Sequence, residues 1–441
     1  MAWDFSTDAD FEHDLAWVRE FVDETVIPLE IAGEGLNQRQ LDALWAPFKQ
    51  QVKDRGLWAA HLPPEHGGGG MGQLRLALLQ EVLGRSVLAP EIFGCQAPDS
   101  GNAELLAAGA SEEQTKRWLE PLLAGRVRST FALTEPGNSG SDPTGITTRC
   151  ERDGDEWVIN GRKWFASNSS VSDFMLVMAV TDPAAPAHRR AAMLVVPCQH
   201  PGVELLRDVG SMHHPFSGDA LMDRIGGHTE VQFTNCRVPL DHMIGEPGDG
   251  FVLAQKRLGG GRIHHAMRCL GQAARAFEMM CERAVSRVTQ GKPLGKHQMV
   301  QDMIAESHAE LEMARLLVLR AAWRMDQSGD YSREARREIA LVKFVVPRTL
   351  LAIIDRAIQI HGALGYTSDL PLEEMYRTAR ALRIADGADE VHKQTVAREL
   401  LRNWVAVEQP SEYMPARRRR AQELFGERVR QVRASVPGTL S

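Results

Sequence analysis

Asp386 and Gly387 stand together in LRIADGADEVHKQTVAREL, Leu382 to Leu400, where one helical pattern stops and another begins. A carboxylate held at such a break can accept a proton in catalysis. Local sequence alone favours an ordinary turn there, with Asp389 as an ordinary helix start. A second stretch, FALTEPGNSGSDPTG, Phe131 to Gly145, gathers Thr134, Gly137, Ser139, Gly140 and Ser141. Its closely spaced backbone N–H groups and hydroxyls suit a polar ring edge or a phosphate. A plain connecting loop has the same composition. No GxxxxGK[ST] occurs, and no GxGxxG in a strand–helix setting, so the usual nucleotide loops are not the pattern. Cys95, Cys150, Cys198, Cys236, Cys269 and Cys281 are scattered without a CxxC pair. That indicates neither a zinc site nor a disulfide framework, and buried thiols in a reducing compartment are expected.

Three regions must position these residues. Residues 10 to about 127 carry helical spacing, with Leu15, Val18, Val22 and Val26 on one face and Pro28 able to interrupt it. Ser111 with Gln114 three residues on forms a capping-box pattern. From Ser129 to about Leu240 short runs rich in β-branched and aromatic residues suggest a small all-β domain, and DGDEWVINGRKW suggests strands joined by tight turns. Helical spacing then returns. Leu311, Ala314, Leu317, Val318, Ala321 and Met325 share a face, and REIALVKFVVPRTLLAIIDRAIQIHGALGY is apolar nearly all round, as a central bundle helix would be. The expected architecture is α+β: a helical N-terminal domain (1–128), a β-barrel middle domain (129–240), a helical C-terminal bundle (241–410) and an Arg-rich tail (411–441). No internal repeat is apparent.

The length allows a large core. The formal net charge of −7 argues against general nucleic-acid binding. The N-terminus is acidic and lacks a signal-peptide apolar region, and no run of about 18 apolar residues occurs. A soluble protein without a membrane partner is expected, cytoplasmic if bacterial.

Several motifs together resemble the acyl-CoA dehydrogenases, over roughly residues 10 to 405. LTEPGNSGSD is similar to the family's first flavin loop and INGRKWFASN to its second. GEPGDGF resembles the turn that opens its C-terminal bundle. RVTQGKPLGKHQ resembles the segment whose arginine reaches a flavin in a neighbouring subunit. QIHGALGY resembles its Gln-x-x-Gly-Gly turn, and IADGADEVHKQTVARE its base-bearing loop. GRIHH with ADGADEVH resembles the branch in which animal long-chain members use an aspartate base. The departures are a flavin loop longer by one residue, Gln290 in place of an aromatic, Phe165 in place of a tryptophan, and Asp386 in place of the commoner glutamate.

The resemblance implies the acyl-CoA dehydrogenase fold with FAD as cofactor. It implies loss of an α-proton and a β-hydride from an acyl-CoA thioester, leaving trans-2-enoyl-CoA. Electrons would pass to an electron-transfer flavoprotein, and the chain would form a homodimer or homotetramer. Asp386 is the implied base, with a pKa raised once substrate shields it from water. Gly259, Gly260 and Gly261, where other members carry a base, have no carboxylate. Substrate would meet Ser141, Arg262 and Gly387. His264 and His265 adjoin Arg262, either reaching the acyl chain or packing. FAD would meet Phe131, Leu133, Thr134, Gly140, Ser141, Phe165, Ser167, Ala388 and Glu390, with Thr134 and Ser167 hydrogen-bonding its ring and Phe165 packing on it. Arg287, Gln359, Gly362 and Ala363 would meet its pyrophosphate and His297 and Gln298 its adenine half, with Thr289 also binding the cofactor. No metal site is implied. Related flavin oxidases keep the fold and use O₂. DNA-binding flavoproteins of the same fold are a further class, invited only by ARRRRAQELFGERVRQVR, whose plainer reading is a solvated face.

Overall fold

The computed structural model describes residues 3–33, 35–213, 227–328, 332–406 and 413–436. In α1 (Ala9–Phe21) the Asp8 carboxylate accepts from the Phe11 N–H, and Phe11, Leu15, Val18 and Phe21 are buried. Pro28 does not break the chain. A π-turn at Val22–Val26 leads directly into Ile27–Ala32, with Pro28 in its first turn. The wider π-turn before it accommodates the proline, so the helical run continues through Pro28. The helices α2 (Gln38–Asp54), α3 (Gly72–Leu83) and α4 (Asp99–Gly109) follow. The Ser111–Gln114 capping box is present.

The middle region is a sheet of β1 (Ser129–Ala132), β2 (Arg149–Asp153), β3 (Glu156–Ser167), β4 (Phe174–Val180), β5 (Ala191–Pro197), β6 (Val203–Asp208), β7 (His228–Pro239) and β8 (Met243–Ile244). Its order is β6-β7-β3-β2-β4-β5-β8, with β1 parallel against β4. The two halves meet at one pair, Arg149 with Val180. Among the described residues β6 and β8 do not pair with each other, so the barrel is an open one. The sheet also runs past residue 240, because β8 pairs with β5. One expected tight turn is present, at Gly154-Asp155 between β2 and β3. Asn160-Gly161 is not a second one. The β3–β7 register slips there, and Gly161 sits at φ 152° within a continuous strand. Glycine inside a strand often marks such a bulge.

The C-terminal region holds α5 (Gly250–Ser286), a hairpin of β9 (Val288–Thr289) and β10 (Lys292–Pro293), then α6 (Gln298–Ser328), α7 (Arg333–His361), α8 (Leu372–Ala381) and α9 (Asp389–Leu401). In α6 Leu311, Ala314, Val318, Ala321 and Met325 are buried as the spacing predicts. The two helical regions share one apolar core, in which Phe11, Leu41 and Leu79 join Met267, Val318 and Ile353. Their backbones come close where α3 crosses α5. A Cβ at Gly271 would strike the Glu81 carbonyl, and one at Gly84 the backbone of Arg268. Alternate residues of β4 face opposite ways. Leu176 and Met178 pack with Leu105 and Leu106 of α4, while Met175 and Val177 pack with Phe233.

Two compact units make up the chain, Met1–Val396 and Ala397–Ser441. Within the second, the Arg-rich tail forms α10 (Tyr413–Ser435). The boundary expected at residues 410–411 lies outside the described residues. All six cysteines are free, and only Cys281 is less than fully buried.

Candidate active site

The turn between α8 and α9 is held by two clasps. Lys343 of α7, only 4% exposed, donates its ammonium to the carbonyls of Leu382 (2.6 Å) and Ala385 (2.8 Å). A helix end leaves carbonyls without partners, and a cation there satisfies them. Arg383 Nε donates to Asp389 Oδ2 (2.9 Å), and the Asp389 N–H donates back to the Arg383 carbonyl (3.1 Å). Between these clasps Asp386 has φ 55° and Gly387 φ 100°. The left-handed region costs roughly 1–2 kcal/mol per non-glycine residue, less for aspartate. The surroundings over-determine it here. Arg262 Nε donates to the Asp386 carbonyl at 3.3 Å, and His392 Nε2 lies 3.2 Å from the same oxygen. A Cβ at Gly387 would sit 2.7 Å from His392 Nε2, so only glycine leaves the imidazole in place.

The backbone of Asp386 is therefore fixed, while its carboxylate is not. The side chain is 33% exposed, and His265 Nε2 stands off at 3.8 Å, beyond hydrogen-bond range. Burial pushes its pKa up. His265, Arg257, Lys343 and Arg262 together pull it further down, below the usual carboxylate range. Burial drops His265 itself to about 4, so the imidazole is neutral at pH 7. In the free protein Asp386 is thus an ionised, accessible carboxylate on a rigid turn.

A second set of residues lies where β1 meets β3. Lys163, fully buried, donates to the Leu133 carbonyl (2.9 Å) and to Glu135 Oε1 (2.8 Å). Thr134 Oγ1 donates to the Trp164 carbonyl (2.7 Å), and the Trp164 N–H donates to the Thr134 carbonyl (3.0 Å). This zips residues 133–135 onto β3. Just beyond, between Lys163 and Ala166, the β3–β7 register slips, and Phe165 takes φ 49° with its ring 43% exposed. Ser167 Oγ pairs with His228 Nδ1 at 2.8 Å. Both expected hydroxyls, Thr134 and Ser167, thus already have protein partners. Gly140 and Ser141 are exposed on a loop that Asn138 closes by donating to the carbonyls of Ser139 and Asp142.

Arg257 ties this set to Asp386. Its guanidinium lies 4.0 Å from the centre of the Phe131 ring, and its Nε donates to Asn102 Oδ1 (2.9 Å). Asn102 in turn donates to Ser129 Oγ (2.9 Å), whose hydroxyl donates to Asp99 (2.6 Å). The same guanidinium acts electrostatically on Asp386.

The other expected residues are not brought to this place. Arg287, Thr289 and Gln298 are exposed around the β9–β10 hairpin, with His297 half-buried. At 1.5 Å per residue, Arg287 lies about 33 Å along α5 from His265. Gln359, exposed near the end of α7, lies about 24 Å from Lys343 by the same rise. Gly362 and Ala363 are exposed beside it, and Gly362 has φ 65°. Ala388 stays with the Asp386 turn, and Glu390 is exposed on the first turn of α9.

Residues 12–126, 130–224 and 248–401 match the N-terminal, middle and C-terminal domains of acyl-CoA dehydrogenases. The chain belongs to the acyl-CoA dehydrogenase family. It is 45% identical over 354 residues to "Probable acyl-CoA dehydrogenase FadE2" of Mycobacterium tuberculosis, covering 80% of this chain and 84% of that one. It is 43% identical over 406 residues to acyl-CoA dehydrogenase family member 10 of Mus musculus. That alignment covers 89% of this chain but 37% of the mouse protein, so the chain spans well under half of that relative's length. A solved chain from Mycobacterium abscessus superposes with a TM-score of 0.84 at 39% identity, covering 91% of this chain and all of that one. Butyryl-CoA dehydrogenase from Megasphaera elsdenii superposes at 0.76 and 26% identity, covering 90% and 100%.

Five side chains of this acyl-CoA dehydrogenase chain escaped the sequence reading. Lys343 had a signal, being a cation inside an otherwise apolar helical run. Arg257 lies five residues before Arg262, yet nothing local shows that it reaches Phe131. His392 is an ordinary helix residue until Gly387 is seen against it. Glu135 and Lys163 are 28 residues apart, and only the fold shows that they pair.

Proposed function

We propose that the chain catalyses α,β-dehydrogenation of an acyl-CoA thioester to the trans-2-enoyl-CoA, in the branch of the family that uses an aspartate base. The observation that carries this is the Asp386 turn: backbone clasped, carboxylate accessible, and joined through Arg257 to the Phe131 stretch. FAD fits the second set of residues, because Phe165 offers an exposed aromatic face at a strained irregularity of β3 fixed from behind by Lys163 and Thr134. Bound FAD supplies the hydride acceptor. Phe131, Leu133, Thr134, Phe165 and Ser167 would hold its ring.

Asp386 takes the α-proton. When an acyl chain displaces water around it, the carboxylate loses solvation and its pKa rises, which makes it a stronger base. Gly387 leaves room for a thioester to approach the backbone. Arg262 holds the Asp386 carbonyl and so keeps the adjacent N–H aimed. His265, neutral near pH 7, does not donate a competing proton. Arg287 lies too far along α5 to touch a ring beside its own Asp386, which supports its serving a cofactor on a second copy of the chain. The electrons leave for an electron-transfer flavoprotein.

The test is anaerobic bleaching of the FAD-loaded protein by a panel of saturated acyl-CoA thioesters, short to long, straight and branched. We expect at least one to reduce the flavin and to yield the 2-enoyl product. A folded, FAD-loaded protein that none of them bleaches would remove this reading. Rapid reoxidation by O₂ during turnover would assign the chain to the oxidases instead.

A further inference from the structure

The helix α10 presents an apolar stripe and a basic flank. Leu424, Phe425, Val429, Val432 and Val436 are each about half exposed. Ala421, Phe425, Val429, Val432 and Val436 recur at steps of four, four, three and four, which places them along one side of an α-helix. The Val436 N–H still donates to the Val432 carbonyl, so the stripe runs to the helix end. Arg428 and Arg433 fall on either side of it, and Arg418 lies at its start. Residues 413–436 contain seven arginines and two glutamates, a net charge of +5, whereas the whole chain carries −7.

We infer that α10 is an interfacial helix that lies along an anionic lipid surface. The Phe425–Val436 stripe would enter the acyl boundary, with the arginines on headgroup phosphates. A helix with an apolar stripe, arginine on the polar side and low overall hydrophobicity has the composition of one that lies in a membrane interface. It does not cross, since no helix among the described residues is long and apolar enough. The expectation of no membrane partner rested on the absence of a span, which does not bear on a surface helix.

Charge selects this occupant over two others. A parallel self-pairing along the stripe would set Arg428 of one copy against Arg433 of the other, with like charges in the positions that flank a coiled-coil seam. A nucleic acid would engage the arginines but leave the apolar stripe in water.

The experiment uses the full FAD-loaded chain and co-sedimentation with vesicles. One set is pure phosphatidylcholine and the other contains about a third phosphatidylglycerol. Binding to the anionic set alone is expected, falling with added salt. Phe425→Glu with Val429→Glu should abolish it. Arg418→Gln, Arg428→Gln and Arg433→Gln together should weaken it by tenfold or more, since each cation near an anionic surface is worth roughly fivefold. Flavin content and acyl-CoA bleaching should be unchanged in both variants, which shows that they fold. The inference fails if anionic vesicles are not bound, or if the glutamate pair binds them as well as the parent. It also fails if that pair changes the oligomeric state in solution, or if a DNA or RNA duplex is bound in place of the vesicles.

Discussion

Glu135 and Asp386 are both carboxylates beside cations, and they are built for opposite purposes. Glu135 is 3% exposed and saturated. It accepts from Lys163 Nζ (2.8 Å), from the N–H and Oγ1 of Thr147 (2.7 Å each) and from the Thr148 N–H (2.9 Å). Burial pushes its pKa up, but Lys163 and hydrogen bonding from Thr148 bring it down to about 2. Burial brings Lys163 down to about 8, so the pair is charged at neutral pH. Asp386 has cations at a distance and a fixed backbone, with its side chain a third exposed. Field without saturation keeps a carboxylate ionised yet leaves its lone pairs open to a substrate proton. The same residue class becomes a rivet in one place and a base in the other.

The largest expected effect tests the open member of this pair. Asp386→Asn keeps the shape and removes the proton acceptor. Flavin reduction at saturating acyl-CoA should slow by roughly 10²–10⁴-fold, the usual worth of a positioned base. FAD content and thioester binding should persist, and solvent deuterium exchange at the α-carbon should fall in step. Stopped-flow reduction at the parent rate would place the base elsewhere. Gly259 to Gly261 offer no carboxylate to take over.

The saturated member should fail differently. Lys163→Met leaves Glu135 buried without its cation, and breaking such a pair costs about 3–5 kcal/mol. Urea unfolding should show that loss, and FAD should be held less tightly because the Thr134–Phe165 turn is no longer pinned. Lys163→Met with Glu135→Gln should recover part of the stability, since no charge is then stranded. A double variant no better than the single, or a Lys163→Met protein as stable as the parent, would refute the rivet.

Sequence reached the fold more easily than it reached this contrast. Periodicity placed α6, α7 and the strands, because burial of one face forces a repeat that local composition displays. It missed that Asn160-Gly161 is a bulge, since an Asn-Gly pair reads as a turn until a partner strand, β7, is seen running past it. Pro28 is able to interrupt a helix, but here a π-turn absorbs it. Asp386 stood out through a resemblance in its loop. Its clasp did not, because Lys343 and Leu382 are brought together only by the packing of α7 on α8. Contacts between residues so far apart in the chain leave no local trace.

The smallest expected effect asks whether that clasp also sets the charge of the base. Asp386 has a depressed pKa in the free protein, with burial opposed by His265, Arg257, Lys343 and Arg262. The acid limb of kcat/KM for flavin reduction should therefore lie below the ordinary carboxylate value of about 3.9, leaving the profile flat from pH 8 to about 5. The limb of kcat, which reports the loaded enzyme, should lie higher, because substrate removes water from the carboxylate. The sign for stability is the same. A depressed carboxyl stabilises the fold above its unfolded pKa, and that contribution is lost as pH falls through the folded value. Lys343→Met removes one cation and leaves the burial, so the carboxyl should move up and the acid limb of kcat/KM with it. The rate at pH 7 should change little, since the base remains ionised there. The variant also strands the Leu382 and Ala385 carbonyls, which should cost about 1–3 kcal/mol in urea unfolding. Stopped-flow reduction by pH jump separates the two roles. A stability loss with an unmoved acid limb would make Lys343 a clasp alone and leave Arg257 and Arg262 as the source of the field.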